Sequence, residues 1–477
     1  MRLSSLLVAL ALSIGVAEPA WAAPPATQAK SKGKPKKPKP GKKKPAQGQS
    51  AKKPTAVEDA PVIRPLVAAS EPASVRAIAD SGLTLVASQR DDFASAGLVL
   101  RFSFGSADDP ASQAGAGAVL LRALEHALGP EIRALRELGG DATFDLGPDA
   151  ASVRIRVPSG AIDAALGLVS ATFTRALSQA DVDAAKATFP APSVREGAEA
   201  QLVGLVYQGF FPYEHAVDGT AASRAPIDVA ALEALRKDRV VPGQATLALV
   251  SPGDANAALD GLKARFTGPK VDGARPARAG TLQEQTNQRA ADVETTGAPT
   301  TLLYAWAIRD ASEAELNALS LAARLLTTRG AIDESVAKLS LPAQVHARLG
   351  RRAGASVFFV EVGLPDATPL KKARHAVEDV FVALSTKAAV ALDLAHAREA
   401  EWVDALAGLD DPLASADRLA AGARPLGDAR EALEAVTPEN VRAAAAKYLG
   451  PLTRAVVQVS DPAKAPASKT PKKQEKH

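Results

Sequence analysis

The stretch "LLRALEHALGP", Leu120 to Pro130, places Arg122, Glu125 and His126 within about one helical turn of each other. Residues three and four apart on a helix are neighbours. With histidine at position 122, two imidazoles one turn apart could bind zinc, and the glutamate before the second could activate a metal-bound water as general base. Here that position is arginine. A fixed positive charge ~4 Å from a doubly charged ion, at an effective dielectric near 20, is repelled by about 8 kcal/mol, and a guanidinium cannot become a ligand. On residue chemistry alone the simpler reading is a solvated Arg122–Glu125 pair three residues apart, worth a few tenths of a kcal/mol.

From Ala114 to Leu128, the apolar residues Val119, Leu120, Ala123, Leu124, Ala127 and Leu128 recur at helical spacing. They define a buried stripe and leave Arg122, Glu125 and His126 on the opposite face. Around this helix the pattern predicts an α+β fold of two similar α/β sandwich halves in tandem. In the first half, strands "GLTLVASQ", "GLVLRFSFGS", "ASVRIRVP" and "GQATLALVSP" alternate with helices at 131–138, 161–177, 180–188, 196–208 and 229–237. The second half repeats the order: strand "TTLLYAWAIRD", a helix at 313–327, strands "AQVHARLG" and "ASVFFVEVGLP", long helices, a helix at 436–449 and strand "RAVVQVSDP". Gly129 matches Gly330, 201 residues on, and Val250 matches Val459, 209 on. A repeat of that period is a duplicated domain and not a solenoid. The expected boundaries are a signal peptide at 1–22, a Lys/Pro-rich linker at 23–66, the first domain at 67–269, an inter-domain linker at 270–296, the second domain at 297–461 and a basic tail at 462–477.

The 477 residues, 47% hydrophobic, are ample for packed cores. The leader has one basic residue, Arg2, an apolar run from Leu3 to Val16, and Ala20-Trp21-Ala22 as a small-x-small cleavage site. Its run is shorter than the roughly 20 residues of a spanning helix, so it predicts export to the periplasm and not a membrane anchor. Without cysteine, the chain has no disulfide and no thiolate ligand. Eleven lysines lie between Lys30 and Lys53, interleaved with proline and glycine, a composition that cannot form a core. Residues 1–57 carry +11 and residues 462–477 carry +4, so a total of +4 leaves −11 on everything between. The basic character belongs to the arms, which argues against a nucleic-acid-binding fold. The arms read as solvated spacers, or as contacts to an anionic envelope surface at about 1 kcal/mol per lysine.

Other signals are weak. "GAGAVLL", Gly115 to Leu121, lacks the third glycine and the preceding strand of a dinucleotide loop. His375 and His396 stand beside Glu378 and Glu399 on helices and read as polar surface, and His215 reads as a loop residue. No nucleophile elbow, phosphate loop or acidic calcium loop is present.

The order of motifs between Leu83 and Asp461 resembles the pitrilysin/insulinase family of inverted-zinc peptidases. "SGLTLVASQRDDFASAGLVLRFSFGSADDPASQAGAGAVLLRALEHALG" resembles the family's opening, with paired strands, a "GS…D" turn and a Gly/Ala-rich run into the zinc helix. "IRALRELGGDATFDLGPDAASVRIRVP" is similar to its next unit, a helix ending at "GG" before paired strands. "FFPYEHAVDGT" resembles its "HPYG…G" loop, and "VTPENVRAAAAKYLGP" its terminal helix.

The resemblance implies two insulinase-like domains and assigns Glu125 to the general base and His126 to the second histidine ligand. Arg122 replaces the first ligand. The third ligand, a glutamate, aligns near Ala191 and Pro192, where Pro190 and Pro192 break the helix. Glu196 and Glu199 lie just beyond, and with His126 they form an alternative zinc set that requires the helix to have slipped. The family also uses an arginine and a tyrosine from its second half. The matching "AIDESVAKLSLPAQVHARLG" has Lys338 but neither type before His346. The expectation is a non-catalytic homologue with no cofactor, binding peptides or supporting a homologous zinc-peptidase subunit or a second copy of itself. The alternatives are an active zinc endopeptidase with a remodelled site and a structural envelope protein.

Overall fold

Strands and helices alternate as the apolar pattern requires in the computed structural model, which describes Leu66, residues 71–271, Arg278, and residues 280–328, 331–338, 343–365 and 370–464. The leader, the lysine-rich stretch to residue 65, Gly330 and the tail from residue 465 lie outside the described residues. The first half runs β1 (Ser74–Ile78), β2 (Thr84–Gln89), β3 (Ser95–Phe102), α1 (Ala116–Ala127), α2 (Gly129–Glu137), β4 (Asp141–Leu146), β5 (Ala151–Pro158), α3 (Ile162–Thr174), α4 (Gln179–Ala187), α5 (Val194–Val206), α6 (Phe211–Glu214), α7 (Ala221–Arg224), α8 (Val229–Arg239), β6 (Ala245–Ser251) and α9 (Ala255–Arg265). The second runs β7 (Arg289–Glu294), β8 (Thr300–Ile308), α10 (Glu313–Thr328), α11 (Ala331–Ala337), β9 (Gln344–Gly350), β10 (Ser356–Leu364), α12 (Leu370–Thr386), α13 (Ala391–Ala407), α14 (Pro412–Ala420), α15 (Leu426–Glu434), α16 (Pro438–Tyr448) and β11 (Arg454–Ser460).

The duplication read from spacing has its counterpart in topology. The first sheet is ordered β1-β2-β6-β3-β5-β4 and the second β7-β11-β8-β10-β9. Apart from the extra edge strand β1, the two orders match place for place. Each sheet has one parallel pair, β2 with β6 and β7 with β11, and its remaining pairs are antiparallel. Strand β7 corrects the expectation of a linker at 270–296. Its Ala291 and Val293 alternate with exposed Ala290, Asp292 and Glu294, and parallel pairing with β11 supplies the partner that a short, half-polar segment needs. Strand β1 and helix α9 were likewise not among the predicted elements. Strands β1 and β7 are sheet edges, where few apolar residues are required.

Central strands alternate between two cores. On β3, Leu98, Leu100 and Phe102 face the core under the first half's helices, and Val99 faces the other way. On β8, Tyr304 and Trp306 face the second half's helices, while Leu303 and Ala305 face away. The outward faces are covered by a reciprocal loan. Helix α5 of the first half lays Ala198, Leu202 and Val206 on the back of the second sheet, and α14 of the second half lays Ala416 and Ala420 on the back of the first. Sheets buried on both faces explain the nearly unbroken apolar strands. The two halves accordingly belong to one packed unit.

Gly97 on β3 sets the approach of α14. A Cβ there would lie 2.4 Å from the backbone carbonyl of Pro412, which heads that helix. Gly97→Ala should therefore cost about 1–3 kcal/mol through overpacking, read as a lowered urea midpoint. An unchanged midpoint would show that α14 can slide.

Candidate functional site

Helix α1 is held at its N-terminal end by its surroundings. Its N-cap, Gly115, has φ +93°, and the buried Asp109 accepts the amides of Gly115 (2.7 Å) and Gly117 (2.8 Å). The 214–220 loop presses on the same end: Gly219 has φ +60°, and a Cβ on it would meet the Ala114 carbonyl at 2.2 Å. The "GS…D" turn, the Gly-rich run and the "PYEHAVDGT" loop thus form one structural joint.

Burial pushes the Asp109 carboxyl from 3.8 up to about 7, against the pull of the helix amides. Its folded value lies above its unfolded one, so its contribution to stability is full below about pH 4 and is lost as pH rises through about 7. Asp109→Asn should remove that part of the decline, seen as a flatter urea midpoint between pH 5 and pH 8 than in the wild type. Parallel pH profiles would refute the assignment.

On the open face of α1, His126 is half-exposed and its Nδ1 lies 2.7 Å from Oδ1 of Asp181 on α4. Glu125 is partly buried, and burial raises its carboxyl above the ordinary range despite the attraction of Arg122 and Arg136. Arg122 makes no ion pair with Glu125 among the described contacts, which corrects the expected i,i+3 pair. It turns instead toward Asp218, with Nη2 3.9 Å from Oδ2, and its Cζ lies 4.2 Å from the ring centroid of Phe189. Arg224 of α7 stacks on the same ring at 4.0 Å and donates from Nη1 to the Asp218 carbonyl at 2.6 Å. Burial of the stripe is as read for Val119, Leu120, Ala123, Leu124 and Leu128, which are fully enclosed, while Ala127 is only partly buried.

The structure does not bring the alternative zinc set together. The helix beside α1 is α4, and the residue it turns toward Arg122 just beyond its end is Phe189, not a carboxylate. Pro190 and Pro192 do end this helix, and Ser193 starts α5 afresh with a capping box in which Glu196 accepts from the Ser193 amide at 2.7 Å. Glu199 is drawn to the second half with the apolar face of α5 and pairs with Arg348 on β9. Among the described residues, no three His, Asp or Glu side chains are grouped to hold a metal ion. The donors around His126 therefore do not fit zinc, and no step is routed through it.

Several contributors were missed by sequence reasoning. Phe189 and Arg224 are 67 and 102 residues from Arg122 in sequence, and nothing local marks them. Asp181 carried one signal, the "SQAD" capping box at the start of α4. His215 is partly buried against Phe211, with Nδ1 2.9 Å from the Ala216 carbonyl, and burial lowers its pKa. His375 is exposed and approaches Asp379, while Glu378 pairs with Arg374 and Arg454.

No protein-family model and no curated protein matches the chain. Solved structures do. A protease from Helicobacter pylori superposes with TM-score 0.72 at 15% identity, covering 82% of this chain and 99% of that one. A peptidase M16 inactive domain from Pseudomonas fluorescens gives 0.69 at 19%, covering 82% and 99%. The periplasmic protease PqqL from Escherichia coli gives 0.67 at 13%, covering 84% of this chain and 49% of that one. The fold implied by the sequence resemblance is thus the fold found, that of M16-like peptidases.

Proposed function

We propose that this chain is an exported, non-catalytic protein of M16-like fold that binds peptides and supports a homologous zinc-peptidase subunit. The observation that carries the reading is Arg122, which stands at the first-ligand position of the zinc helix and is stacked on Phe189 where a partner helix would have to supply a carboxylate. The leader sequence supports export, as does the likeness to a periplasmic protease; the inactive M16 domain among the neighbours supports loss of catalysis in this fold. Equilibrium dialysis against zinc, followed by cleavage assays on unstructured peptides, tests it. The expected outcome is less than stoichiometric zinc and no EDTA-sensitive cleavage, with peptide binding retained. Stoichiometric zinc together with EDTA-sensitive cleavage would overturn it.

A further inference from the structure

The open face of α1 presents Arg122, a cation held by stacking and one long ion pair and by no hydrogen bond among the described residues. Among the described residues, the Arg122 guanidinium has no hydrogen-bond acceptor in reach, since its nearest carboxylate, Asp218, stands 3.9 Å away and is itself half-exposed. Its side chain is 35% exposed, so the donors are open to solvent. Stacking on Phe189 fixes the guanidinium by its face, and that leaves the in-plane N–H edges free, the geometry that meets a carboxylate with two parallel hydrogen bonds. Arg224 on the same ring adds positive charge beside it.

We propose that Arg122, Phe189 and Arg224 form a carboxylate-binding subsite, in which a carboxylate carried by a bound peptide docks on the Arg122 fork. This deepens the peptide-binding reading and rests on it. The carboxylate can be the chain terminus or an acidic side chain, and both present the same planar pair of oxygens.

The test uses a fluorescein-labelled apolar hexapeptide in three forms: free C-terminus, amidated C-terminus, and amidated with one internal glutamate. Anisotropy titration on the mature chain should show the free acid, the glutamate form or both binding at least tenfold tighter than the plain amide, with the advantage shrinking at high salt. Whichever acid wins identifies the source of the carboxylate. Arg122→Gln should abolish the difference between the acid and amide forms, and Arg224→Gln should reduce it. Circular dichroism and the urea midpoint check that both variants remain folded. Equal binding of all three forms to the wild type would overturn the subsite and leave peptide binding standing. Failure of every form to bind would overturn both.

Discussion

Replacing Arg278 with methionine should destabilise the protein by about 3–5 kcal/mol, a large fraction of the roughly 5–15 kcal/mol that holds an ordinary domain folded. Arg278 is nearly buried and reaches Asp108 through Nε (3.3 Å) and Nη2 (3.1 Å), while its Nη1 bonds Asp149. Asp108 lies just after β3, and Asp149 in the turn between β4 and β5. Asp149 also receives the Tyr213 hydroxyl at 2.7 Å and the Ala353 amide at 3.1 Å, the latter from the second half. The Tyr213 phenol, pushed up to about 12 chiefly by burial and then by Asp149, stays protonated and can donate. Arg352 stacks on Tyr207 and Tyr213 from the same loop of the second half. Removing the guanidinium takes the cation from between two enclosed carboxylates at the joint of both halves. Arg278→Lys should recover only part of the loss, because one ammonium cannot supply two separated pairs of donors. Urea unfolding of the two variants beside the wild type measures this. A methionine variant within 1 kcal/mol of wild type would show the carboxylates to be held by other partners.

Arg278 also shows where sequence reasoning stops. It sits in "GARPARAG", a stretch whose composition says linker, and its value comes from carboxylates 129 and 170 residues away. The same holds for α5. Its apolar positions were legible as a helix, but nothing in Ala198, Leu202 and Val206 states that their surface is the other half's sheet. That destination decides the fate of Glu199, which follows the helix to Arg348. What could be read was local and periodic: the buried stripe of α1, the proline break before α5, and the matching strand order of the halves. Edge strands β1 and β7 escaped because an edge is stabilised by a neighbour's backbone more than by its own side chains.

Writing out the motif with Arg122→His should not by itself produce a firm zinc site, and adding Phe189→Glu should strengthen metal binding roughly tenfold or more. Protein zinc sites keep at least three ligands, and the single variant supplies two histidines on α1. Asp181 is already committed to Nδ1 of His126, the place of a group that orients a ligand from behind. Position 189 is different: its ring centroid lies 4.2 Å from the Arg122 guanidinium, so a side chain there reaches the volume that histidine would vacate for the ion. Replacing the arginine also removes the repulsion of about 8 kcal/mol that a cation at position 122 imposes at an effective dielectric near 20. Competition against a chromophoric chelator, on the single and double variants, gives the two affinities. If the single variant already binds stoichiometric zinc tightly, Asp181 is a ligand and not an orienting group. If the double variant binds no better than the single, position 189 is not where the missing carboxylate belongs. The expected order makes metal binding depend on two positions, one of them invisible in any short motif, because the fold and not the spacing brings Phe189 to Arg122.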